Sequence, residues 1–159
     1  MYSTLQIDKV TLFHNYYELS NEKQEVSQLL NEAKDYINFY TWCEEIVEEY
    51  VGLIYTGIIG VFLFKIKKSR RDVDEWIWVI VGDVPPSYIT VEDCPNPACA
   101  LDGYIGALEE WVDAAEKGKT VENLIPVNVP ANYENAQLLK IRLNFLDNNI
   151  LSKYKNDLI

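Results

Sequence analysis

Trp76-Ile77-Trp78-Val79-Ile80-Val81-Gly82-Asp83-Val84-Pro85-Pro86-Ser87-Tyr88 is the stretch whose reading decides the fold. Its unbroken apolar opening, rich in β-branched and aromatic side chains, reads as a buried strand. Gly82 tolerates a positive φ that other residues resist, and the two prolines stiffen the chain beyond it and withhold backbone donors. The strand therefore ends in a rigid turn, and Ser87 to Val91 reads as a short returning strand. Upstream, residues 58–66 form another buried strand, and the polar run 67–74 joins the two as a hairpin. These segments make an antiparallel meander. Within the turn, Asp83 is placed to cap the local amides.

Working outward, Val26, Leu29, Leu30, Ala33, Ile37 and Tyr40 recur at helical spacing, and Asn21 with Gln24 suits a capping box. The stripe extends through Cys43, Val47 and Val51, so a long N-terminal helix either runs to about Tyr50 or breaks near Thr41, where aromatic and β-branched residues crowd. Residues 1–19 alternate loosely and read as a short strand or a docked arm. Asn96 is a suitable N-cap with Pro97 at the first helical position, and Leu101, Tyr104, Ile105, Leu108, Trp111, Val112 and Ala115 form an apolar stripe ended by Gly118. Gly103 and Gly106 weaken that helix, which points to close packing against the sheet. The proline-punctuated stretch 121–130 suits only an edge strand. Asn132 opens a last helix, with Ala136, Leu139, Leu143, Leu146 and Ile150 on one face and Leu138, Phe145 and Leu151 widening it. The expected architecture is α+β: a three- to four-stranded antiparallel β-meander packed with a long N-terminal helix and two C-terminal helices, in a single domain spanning residues 1–159.

The chain has 159 residues, enough to bury about 70% of the surface exposed on unfolding. No apolar run reaches the roughly 18 residues of a membrane span. The first eight residues carry no export signature, so the expected compartment is the cytoplasm. Three cysteines, Cys43, Cys94 and Cys99, fit a reducing compartment and, with His14 the single histidine, offer no complete zinc set. No nucleophile and base arrangement surrounds His14, so the sequence points to no catalytic residues, metal or cofactor.

The net charge of −11 opposes nucleic-acid binding. Lys65, Lys67, Lys68, Arg70 and Arg71 hold five of the fourteen basic residues, which leaves the rest of the chain at −16 and suggests two faces of opposite sign. On a helix continued past Thr41, Glu44, Glu45, Glu48 and Glu49 would line the outer face with no compensating bases, at a cost of a few tenths of a kcal/mol per pair. They read as a solvated face or as a docking surface for a cationic partner, with Tyr36, Tyr40 and Trp42 as aromatic anchors. Glu109, Glu110 and Asp113 lie on a second acidic helix face.

The Trp-rich strand ending in Gly82-Asp83, together with Trp76, Trp78, Pro85, Tyr88, Pro97, Ala100, Leu101 and Trp111, resembles a bacterial family catalogued as domain of unknown function number 4826. That family's turn reads Gly-Asp-Leu-Pro-Thr-Asp-Tyr. The likeness covers about residues 42–150; Val84 replaces the usual Leu and Pro86-Ser87 replaces Thr-Asp, so one acid of the motif is absent. The resemblance implies a shared fold and an important turn, and brings no substrate.

Two functions emerge as expectations. The first is a small acidic interaction protein, an immunity- or antitoxin-like inhibitor of a basic toxin or effector domain, with homodimerisation through the aromatic helix compatible with it. The second is a small-ligand-binding protein or enzyme with a site at the 82–88 turn, where Asp83, Tyr88, Trp76 and Trp78 would converge and burial would raise the acid's pKa. Trp76 and Trp78 share one strand face, which suits core packing better than a cofactor site.

Overall fold

The computed structural model describes residues 4–158. A 3-10 turn at Ile7–Lys9 leads into β1 (Thr11–Leu12), α1 (Phe13–Leu19), α2 (Lys23–Asn38), β2 (Cys43–Tyr55), β3 (Ile59–Lys68), β4 (Trp76–Gly82), β5 (Ser87–Thr90), α3 (Pro97–Glu116) and α4 (Tyr133–Asn149), before a closing 3-10 stretch at Leu151–Asp157. The strands form one five-stranded antiparallel sheet in chain order. The α+β class and the meander match expectation, with β1 and β2 extending the sheet past four strands.

The sheet is the middle of three layers. On one face α2 packs Leu29, Leu30, Ala33 and Ile37 against Val51, Phe62, Phe64, Ile77, Val79 and Val81. On the other, α3 and α4 pack against Leu53, Val61, Leu63, Trp78 and Ile80. Successive residues of a strand point to opposite faces, so the stretches of β3 and β4 that are covered on both, 59–64 and 77–81, are apolar or glycine throughout, while β3 turns polar at Lys65, Lys67 and Lys68 toward its exposed end. Trp78 is fully buried, and its indole N–H donates to the Cys94 carbonyl at 2.7 Å.

The long N-terminal helix requires correction. The helix ends at Asn38, and residues 43–55 are a strand, so the break near Thr41 is the alternative that holds. Register shifts lie between Cys43 and Glu45, Ile46 and Glu48, and Val51 and Leu53. Each bulge adds a residue, so those packed against the α2-side core, Cys43, Ile46, Val51 and Ile54, fall three, five and three apart. That spacing imitates a helix. The four glutamates consequently share no helix face, and bases do oppose them: Lys67 stands 3.7 Å from Glu44, Lys65 3.5 Å from Glu48 and Lys34 2.7 Å from Glu49. Glu45 sits in register with Lys67. Glu48 also accepts from the Tyr50 hydroxyl; that bond first, then Lys65, holds its carboxyl below the usual range. Beyond the two residues paired with β1, acids and bulges on the outer side of β2 oppose edge-to-edge association. Charge on the basic hairpin is likewise interleaved with acid, as Arg70 pairs with Asp72.

Other expectations resolve locally. The 4–19 part of the N-terminal arm docks, with β1 on β2 and the Gln6 amide on the Pro95 carbonyl at 2.8 Å; residues 1–3 lie outside the described residues. The Asn21 and Gln24 capping box does not form, since α2 starts after Glu22, whose amide is bonded by the Ser20 hydroxyl. Asn96 and Asn132 cap α3 and α4 as expected, by accepting from the Cys99 and Asn135 amides. Residues 121–130 form no strand. Gly103 and Gly106 face solvent rather than the sheet.

Candidate functional site

Both hairpin turns at one end of the sheet meet beneath α4, and this junction carries the candidate site. Gly82 adopts φ +130° and closes β4 against the β2–β3 turn, where the Asp83 amide donates to the Ile58 carbonyl at 3.0 Å. From below, the Tyr104 hydroxyl of α3 donates to the Pro85 carbonyl at 2.5 Å; burial first raises that phenol's pKa above its usual value. The turn is thus held by backbone and by a buried tyrosine. Its carboxylate points outward, and Arg142 Nε of α4 lies 3.4 Å from Asp83 Oδ2. The expected cap on the turn's own amides is replaced by a bridge between the turn and a helix 59 residues away.

Three hollows share this junction. One of about 350 Å³ lies among Asp83, Val84, Pro86, Val129, Leu138 and Arg142. The next, about 250 Å³, is bounded by Gly57, Ile58, Asp83, Ile141, Arg142 and Phe145. The last, about 380 Å³, adds Glu25, Gln28 and Glu32 of α2 to Gly57, Ile58 and Asp83. Asp83 borders all of them, so they adjoin in a groove at the end of the sheet, with acids on its α2 side and apolar residues on its α4 side. Leu138, Ile141 and Phe145 are 56%, 67% and 45% exposed along its apolar wall. An acidic side groove lined by Glu109, Asp113, Glu116 and Lys140 runs along the junction of α3 and α4.

The other predicted site residues are scattered. Trp78 lies in the core beneath α3, and Trp76 on the same strand packs on Tyr50 with Lys65 over its ring. Tyr88, paired in register with Val79, projects to the α2 face instead and makes edge contacts with Tyr40 and Trp42 at 5.1 and 5.4 Å. Asp83 therefore does not share a pocket with Trp76, Trp78 and Tyr88. Tyr36, Tyr40 and Trp42 do gather with Tyr88 in one aromatic cluster, whose outer member Phe39 is 83% exposed. Glu109, Glu110 and Asp113 stand exposed on α3, Asp113 paired with Lys117 at 2.7 Å.

Sequence reasoning missed Ile141 and Arg142 and assigned Leu138 and Phe145 to the core. Their signal was present: 138, 141 and 145 make a second apolar stripe, offset around the helix from the buried one. Among the described residues, no group of His, Cys, Asp and Glu has the arrangement to hold a metal ion, and no helix is long and apolar enough to cross a membrane. No family model, curated protein or solved structure matches the chain.

Proposed function

We propose that this protein is an acidic interaction protein, an immunity- or antitoxin-like inhibitor that receives a basic protein domain across the groove at the end of its sheet. The observation that carries this reading is that an exposed apolar helix stripe and carboxylates on α2 and at Asp83 line adjoining hollows at one end of the sheet. Apolar anchors supply affinity, and charge of one sign steers a partner of the other. The net charge of −11 adds long-range attraction for a cationic partner. The small-ligand reading at the turn has less support, because the Asp83 side chain is 69% exposed, paired with Arg142 and remote from the tryptophans. Kinship with the family whose Gly-Asp-Leu-Pro-Thr-Asp-Tyr turn this chain resembles is proposed alongside, and carries no activity with it.

Affinity capture at low and high salt, followed by titration of the recovered partner with this protein, tests the reading. A basic partner that is released by salt and loses its activity at one equivalent supports it. Capture of a partner whose activity is untouched at excess contradicts the inhibitor role.

A further inference from the structure

We propose that the partner element received by this groove is a cationic amphipathic helix lying along α4. The inference rests on the interaction reading above and specifies its occupant. Leu138, Ile141 and Phe145 recur at intervals of three and four, the seam that one helix presents to another. They are turned away from Ala136, Leu139, Leu143 and Leu146, which already fill the core. On either side of the seam α4 has a cation, and each is committed to an acid of a neighbouring element: Arg142 to Asp83 at 3.4 Å, Lys140 to Glu116 at 3.6 Å. The charge left around the seam is negative, from exposed Glu25 and Glu32 in the hollow across the 57–58 and 82–83 turns and from Glu109 in the hollow on the far side of α4. A helix with apolar residues at matching intervals and Lys or Arg on its shoulders satisfies seam and borders together. A second copy of α4 would match the seam but set acidic borders against each other, with a net −11 on each molecule.

The probes are two labelled synthetic peptides of about four helical turns: one with Leu at the seam intervals and Lys between, the other a scramble of identical composition. Binding is followed by fluorescence anisotropy at low and high salt. The patterned peptide is expected to bind about tenfold more tightly than the scramble, and Ile141→Asp to remove about that factor, as loss of an anchor does. Glu25→Lys with Glu32→Lys should weaken binding and flatten its salt dependence. Circular dichroism confirms folding of each variant, and Phe145→Ser gives a second, uncharged disruption of the seam. Equal binding of the two peptides, binding of neither, or indifference to both seam variants contradicts the proposal. So does a concentration-dependent dimer of the free protein, seen by sedimentation, that Ile141→Asp dissolves, since a second copy would then cover the seam. A captured and inhibited partner that binds Ile141→Asp undiminished overturns the helix while leaving the interaction reading intact; a captured partner that is not inhibited removes that reading instead.

Discussion

A Cβ placed on Gly82 would lie 2.5 Å from the Ile58 carbonyl oxygen and 2.8 Å from Ile59 Cα, at a φ of +130°. Both obstacles are backbone, so neither can rotate aside. Gly57, at the facing turn, also has a positive φ, +76°, but open space where its Cβ would be. The two glycines separate strain from collision. Gly57→Ala should cost about 1–2 kcal/mol, the left-handed penalty alone, whereas Gly82→Ala should cost about 2–5 kcal/mol from strain plus overpacking. Urea denaturation midpoints check this; equal losses would show that the turn yields. The tight turn after the strand was legible in Gly82 and the prolines beyond it. Arg142 as the partner of Asp83 was not, because nothing local in either segment encodes an ion pair across 59 positions.

Among the elements, α3 and α4 were legible because each combines a side-chain N-cap with an apolar stripe. The strand at 43–55 was not, since its three bulges erase the period of two on which strand recognition depends. Here tertiary pairing overrides local preference: glutamates that would repel one another on a helix find lysines on β3 and α2. The groove's apolar wall was half legible, as an amphipathic helix needs one stripe and α4 has two. The glycines of α3 give a prediction at this scale. Gly106 is solvent-facing, and an added Cβ there would meet nothing within 4 Å, so Gly106→Ala should stabilise the fold by about 0.5–1 kcal/mol. Thermal melting would show a raised midpoint; a lowered one would mean that the helix needs the glycine.

Taken whole, the molecule places its three thiols and several of its phenols in or beside two apolar layers. Burial first, then Cys99, Asp93 and Asp102 nearby, pushes the Cys94 thiol up to about 11 from 9.0. Burial likewise raises the Tyr104 and Tyr36 phenols above 10.0. Folding holds these groups protonated, so the unfolded chain releases its protons first. The thiol's contribution is complete below about pH 9 and is lost as pH rises through its folded value near 11, whereas that of the phenols is complete below about pH 10 and falls away at higher pH. Denaturation midpoints between about pH 7 and 11 should fall on the alkaline side; a flat profile would contradict the buried assignment. Composition alone gave the sign of the molecule's charge. It could not show that Glu44, Glu48 and Glu49 pair with lysines while Glu25 and Glu32 border a groove, because that division depends on which strands and helices meet.

The central claim, that a protein partner occupies the end of the sheet, is tested most directly by hydrogen–deuterium exchange of the free protein and of its complex with the captured partner. Occupation of the groove predicts added protection at residues 57–58, 82–84 and 138–145, with β2 unchanged at 44–49. Protection confined to 44–49, or to the aromatic cluster around Tyr40 and Trp42, would contradict it and place the partner toward the opposite end of the sheet.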